Sequence, residues 1–171
     1  MGWAYALLAL VVVERLLELA YARGNTRRLL AAGAVEVGAG HYPAIVALHA
    51  AWLATLALSV DADTRIEPAW LVVFGLLQAA RLWVILTLGR FWTTRVITLA
   101  GAPLIRRGPY RFLRHPNYLV VTLEIAVLPL TFGWPWQALI FSVLNGLLLR
   151  HRMRLEATAL APRQAIEKGT S

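Results

Sequence analysis

The sequence contains no cysteine, which removes disulfide frameworks, thiolate nucleophiles and thiolate metal sites together. Its four histidines show no HExxH-like spacing, so no metal site is expected. Lysine is almost missing: all but one of the seventeen basic residues are arginine. Only nine acids offset them, leaving a formal charge of +8. Long polar stretches are scarce as well, because 59% of the 171 residues are hydrophobic. That is far more apolar than an ordinary soluble domain and points to a membrane protein.

Five apolar segments stand out, at about residues 2–22, 42–60, 69–88, 118–132 and 134–149. The first three have the length of ordinary spans at 1.5 Å rise per residue. The first lacks a basic leader and a small-residue cleavage site, so it is expected to remain as a helix rather than to be a signal peptide. Gly133 alone separates the last two segments, and Pro135 opens the second, a combination that predicts a tight helical hairpin. The expected fold is therefore an all-α, polytopic membrane protein of about five transmembrane helices, with a C-terminal hairpin and a pocket on the cytoplasmic side. It is read as one domain over 1–171, with an N-terminal three-helix part (1–88) and a core (89–160).

Basic residues set the orientation. Connection 23–41 carries Arg23, Arg27 and Arg28; connection 89–117 carries six arginines; the tail carries Arg150, Arg152, Arg154, Arg163 and Lys168. The remaining connection, "DADTRIE", has three acids and one arginine. The arginines lie between apolar spans, so they read as topology determinants and contacts to anionic membrane lipids rather than as a nucleic-acid surface. The expected location is the plasma (inner) membrane, with the basic segments in the cytoplasm. Trp3, Trp70, Trp134 and Trp136 then fall near the outer ends, where aromatic belts form.

This threading puts Glu14, Arg15, Glu18, His49, Gln78, Arg81, Glu124 and Asn145 at similar depth in the cytoplasmic half. A charge in hydrocarbon costs roughly 2.5–3.5 kcal/mol even on the lenient insertion scale, so such groups pair or line a wet cavity. Structural pairing is one account: Arg15 reaches Glu18 at i,i+3, and Arg81 can neutralise another carboxylate. A cavity open to the cytoplasm is the other, and it explains why all five helices agree in depth.

The connection "LGRFWTTRVITLAGAPLIRRGPYRFLRHPNY" is long for so short a chain, yet rich in β-branched and aromatic residues, so it reads as folded over the cytoplasmic mouth. Gly108-Pro109 and His115-Pro116 mark changes of direction. Pro116 suits the first turn of the fourth helix, leaving Asn117 and Tyr118 at an end with unpaired N–H groups. Beyond the hairpin, "RHRMRLEATAL" places Arg152 and Glu156 on one face at i,i+4 if the fifth helix continues. His115, Tyr118 and Glu156 then converge at the bilayer edge.

"GPYRFLRHPNYLVV", a short helical hairpin and "RMRLEATAL" together resemble the isoprenylcysteine carboxyl methyltransferase family of integral-membrane enzymes. That family's pattern is RHPxY, two helices and an RxxxEExxL-like tail. This chain supplies Arg114, His115, Pro116 and Tyr118, then Arg152, Glu156 and Leu160, and departs at Ala157, where a second glutamate is common. The N-terminal half resembles a small bacterial branch that O-methylates long-chain alkylpyrones or alkylresorcinols, products of polyketide synthases. The resemblance implies S-adenosylmethionine as methyl donor, held by His115, Pro116, Tyr118, Leu119, Arg152 and Glu156, and a lipophilic small-molecule acceptor; polyketide synthase pathway enzymes are the expected partners.

An acidic hydroxyl acceptor would need a base or a cation to favour its oxyanion, and His49 or Glu124 is expected as base, with Arg81 or Arg95 stabilising negative charge. A prenylcysteine-type carboxylate acceptor would need only an orienting arginine. Two other readings stay open. One is a non-enzymatic scaffold that binds anionic lipid; the other is a relative of membrane sterol-type reductases, which carry a similar RHPxY region and use NADPH.

Overall fold

The computed structural model describes residues 2–102 and 105–169, with side chains up to Ala157. It is all-helical apart from one two-residue ladder. The five helices are α1 (Trp3–Ala31), α2 (Tyr42–Ser59), α3 (Pro68–Leu88), α4 (Pro116–Thr131) and α5 (Pro135–Gly169). Strand β1 (Val35–Glu36) pairs antiparallel with β2 (Ile97–Thr98).

Helices α1 and α4 end where a glycine lets them. Gly33 and Gly133 both have positive φ, +87° and +78°. After α1, Ala34 N–H donates to Leu29 O and Gly33 N–H to Leu30 O, both at 3.0 Å. After α4, Trp134 N–H and Gly133 N–H close the same pair of bonds on Pro129 O and Leu130 O. These are Schellman motifs, in which glycine takes the left-handed position that satisfies the last carbonyls. Pro135 follows at the first turn of α5 without losing a helical hydrogen bond, so the chain reverses within three residues.

Helix α1 is longer than its apolar segment. Residues 23–31, expected in a connection, are helical and continue past the arginines. Asn25, fully buried, explains the extension: its amide donates to Gly89 O at 3.0 Å and to Trp92 O at 2.9 Å, anchoring α1 to the turn after α3. Likewise α5 runs as one helix through Arg152 and Glu156.

Among the described residues, two helices are long and apolar enough to cross a membrane: α3, and α2 with the turn that precedes it. Only 17% and 11% of their apolar windows are buried inside the molecule, so their apolar surface faces outward. Leu58, Leu76 and Leu86 exemplify that exterior, each more than 60% exposed. The other three expected spans depart from the plain pattern. The middle of α1 carries Glu14, Arg15 and Glu18, and α4, with 16 residues, rises about 24 Å against a hydrocarbon core of roughly 30 Å.

The main core joins Leu8 and Val11 of α1, Trp52 and Leu56 of α2, Phe74 of α3, and Ile125 and Leu128 of α4. A smaller cluster of Ala22, Val84 and Trp92, flanked by Tyr110, seats the connection that follows α3. That connection is folded, as its composition predicts. It carries β2 and two 3-10 turns, Gly89–Phe91 and Gly108–Arg111.

Candidate active site

Both feet of the α4–α5 hairpin end in polar groups, and they meet. His115 occupies the cap position of α4, with Pro116 at the first turn. Its ring stacks on that of Tyr118, centroids 5.2 Å apart and planes within 13°. From α5, Arg152 Nε donates to the Tyr118 hydroxyl at 2.9 Å, and the guanidinium lies 5.4 Å from the centre of the Tyr118 ring. The Tyr118 hydroxyl in turn donates to Glu156, whose carboxylate also lies 3.7 Å from Nδ1 of His115. Arg152 and Glu156 are one helical turn apart, so both aim at the same phenol.

The side chains of His115 and Glu156 keep about a quarter of their surface open, 25% and 27%. Pro116 is buried beneath them and Leu119 is exposed on the next turn. Two further residues belong to this foot. Asn117 has a buried Oδ1 with no hydrogen-bond partner, an acceptor left for a donor that the protein does not supply. Tyr110 reaches the same place from the Gly108–Arg111 turn: burial and the nearby Glu156 carboxylate push its phenol above the ordinary tyrosine range. Gly108 fixes that turn. It has φ +55°, and a Cβ there would sit 2.6 Å from Oγ1 of Thr87 on α3. Leu160 lies outside the residues with described side chains.

The second set of candidates lies deeper. Arg15 NH2 donates to Gln78 Oε1 at 2.6 Å, and Gln78 Nε2 to Glu124 Oε1 at 2.9 Å. Arg81 pairs with Glu18 through Nε at 2.7 Å and with Glu124 through NH1. Arg15 also contacts Glu18 at 3.1 Å, the expected i,i+3 pair. Two cations and two anions are thus interlocked across α1, α3 and α4. Pairing accounts for most of the stratum; what stays open is a cavity of about 10 Å³, lined by Arg15, His49, Trp52, Arg81 and Glu124 among others. His49 bonds through Nδ1 to the carbonyl of Ile45 at 2.8 Å. Three of the four expected catalytic residues, His49, Arg81 and Glu124, therefore share one cavity wall.

Arg95 is not among those lining residues. Its guanidinium donates to both carboxylate oxygens of Glu36 at 2.9 Å and lies 4.5 Å from the centre of the Tyr42 ring, while the Tyr42 hydroxyl bonds Thr94 at 3.1 Å. It clamps the β1–β2 ladder over the start of α2. A separate cleft of about 440 Å³ sits at the other end of the hairpin, between Thr55 and Ser59 of α2 and Trp134, Ile140 and Phe141.

Residues 70–162, which include α3, α4 and both feet of the hairpin, match the model of the isoprenylcysteine carboxyl methyltransferase (ICMT) family. The chain belongs to that family. It is also 34% identical over 160 residues to the uncharacterized protein YpbQ of Bacillus subtilis (strain 168), an alignment that covers 91% of this chain and 95% of that protein. No solved structure matches it. Family membership implies methyl transfer from S-adenosylmethionine and leaves the acceptor undetermined.

The hairpin feet suit such a donor chemically. Its hydroxyl, amino and ammonium groups need acceptors, which Glu156 and the orphan oxygen of Asn117 provide. Tyr110 was not among the residues picked out from sequence, and Asn117 was noted only for its backbone N–H. The "GPY" and "PNY" strings that hold them were visible, but the approach of Tyr110 to Glu156 depends on the fold.

Proposed function

We propose that this chain transfers a methyl group from S-adenosylmethionine to an oxygen of a lipophilic acceptor held in the membrane, a long-chain alkylpyrone or alkylresorcinol hydroxyl. The chain crosses the plasma membrane five times, with the hairpin feet facing the cytoplasm. The meeting of His115, Tyr118, Arg152 and Glu156 carries this reading: a partly open polar cluster where the two feet of the hairpin come together. A charged, soluble donor reaches such a cluster from the cytosol, while a fatty acceptor stays in the bilayer.

When bound, S-adenosylmethionine supplies a methyl carbon already activated by a sulfonium. The protein's share is alignment and exclusion of water, and alignment alone can contribute several kcal/mol. Glu156 would accept from the donor's polar hydrogens, with its orientation fixed by Tyr118 and, through that phenol, by Arg152. Pro116 and Leu119 would pack against the donor, and Tyr110 would close the side facing the connection. An acceptor hydroxyl must also lose its proton, for which an unperturbed phenol has a pKa near 10. His49 is the proposed base, because Glu124 is engaged by Gln78 and both arginines. Arg81, already bound to two carboxylates, would hold the network rather than meet the oxyanion.

Expression of the chain with isotope-labelled donor, followed by mass spectrometry of the membrane lipids, tests the reading. One added methyl on a hydroxyl-bearing lipid is expected. Label appearing only as a carboxyl methyl ester, or in no lipid at all, would contradict it.

A further inference from the structure

The buried cavity between α1, α2, α3 and α4 has unmet hydrogen-bonding capacity of a specific kind. Nε of Arg15 and the indole Nε1 of Trp52 are both buried N–H donors without a partner, and both residues line the cavity. Trp52 is only 3% exposed, so bulk water does not serve its indole. On the same wall, His49 gives its Nδ1 hydrogen to the Ile45 carbonyl. In the neutral ring that bond leaves Nε2 with a lone pair, an acceptor. The carboxylate of Glu124 is a further acceptor in the lining.

Two donors and at least one acceptor around one small space define the occupant. An anion could take the two N–H bonds but has no hydrogen for His49. A cation would be repelled by the N–H groups of Arg15 and Trp52. A methyl group would leave these polar atoms unmet, and each buried group left unsatisfied keeps its full desolvation penalty. Water fits, since its oxygen accepts two hydrogen bonds and its hydrogens donate two, and buried waters make about three bonds on average. Room also fits: the centre of a water-sized sphere has about 10 Å³ in which to sit, so a water is admitted without moving the walls.

We infer that this cavity is a built site for a single water molecule, which accepts from Arg15 Nε and Trp52 Nε1 and donates to Nε2 of His49. The water joins α2 to the ion network. Through Arg15 it ties His49 to Glu18 and Gln78, neither of which hydrogen-bonds the imidazole directly. The site is a property of the resting chain; in the proposed reaction the acceptor hydroxyl would displace this water from Nε2 of His49.

Indole-¹⁵N labelling of the intact chain in detergent micelles gives the direct readout, with the Trp52 signal assigned by its loss in Trp52→Phe. The Trp52 indole proton is expected to show a dipolar contact to a long-lived water. An indole proton that exchanges slowly and shows no water contact would overturn the inference. Val121→Ile supplies an independent test of sign, because Val121 lines the cavity and the extra methyl fills it. Expelling a bound water should lower the unfolding midpoint by about 2–4 °C and should abolish the water contact. A raised midpoint would mean that a dry void had been filled, and would overturn it as well.

Discussion

Tyr118 is the residue on which both feet of the hairpin depend, since its hydroxyl accepts from Arg152 and donates to Glu156. Tyr118→Phe keeps the ring that stacks on His115 and removes only the bridge. Hydrogen bonds to charged groups contribute about 1.5–3 kcal/mol, so donor affinity should fall roughly 10- to 100-fold in a titration of the purified protein. Unchanged affinity would remove the bridge from the binding site. Deeper in the bundle, Glu124→Ala should destabilise by about 3–5 kcal/mol, because it leaves Arg81 and Arg15 short of charge and hydrogen bonds. Thermal unfolding in detergent checks this. The double replacement Arg81→Met with Glu124→Leu should recover part of the loss, since a buried pair can give way to well-packed apolar groups more easily than a single partner can be removed. His49, the arginines and the carboxylates at matching depth were legible in the sequence as a stratum. Which of them pair was not, because Gln78 and Glu124 are 46 positions apart and only the α3–α4 contact brings them together.

At the scale of elements, helix ends were read better than helix lengths. Gly133 and Pro135 announced the hairpin because a left-handed cap and a proline at the first turn are local requirements, and local requirements are written in adjacent residues. The extension of α1 through residues 23–31 was hidden for the opposite reason. Its arginines suggested a solvated connection, whereas a buried Asn25 holding the carbonyls of Gly89 and Trp92 makes the segment part of the fold. The β1–β2 ladder was equally out of reach, being two residues on each side and joined across the whole α2–α3 pair. The Gly108–Arg111 turn offers a test at this scale. In Gly108→Ala the new Cβ meets Thr87, whose hydroxyl is itself bonded to the Trp83 carbonyl at 2.7 Å. A cost of about 1–3 kcal/mol is expected from overpacking, with faster protease cleavage between residues 89 and 115 and weaker donor binding as Tyr110 loses its seat. Cleavage and affinity both at wild-type level would show that the turn is not what positions Tyr110.

For the whole molecule, the absence of cysteine turns the proposed threading into a clean experiment. Single cysteines placed at Arg27, Asp63 and Arg111 should not disturb the core, as all three side chains lie outside it. In intact cells a membrane-impermeant maleimide should label only Asp63→Cys, and the other two should react after permeabilisation. Labelling of Arg27→Cys or Arg111→Cys in intact cells would reverse the orientation and detach the hairpin feet from the cytosolic donor. The proposed activity depends on those feet. Titration of S-adenosylmethionine into the detergent-solubilised chain, beside its Glu156→Gln variant, addresses them most directly. Saturable binding by the wild-type chain is predicted, weakened at least about 10-fold in the variant while its unfolding midpoint stays the same. Equal affinity in the two proteins, or no saturable binding in either, would contradict the account.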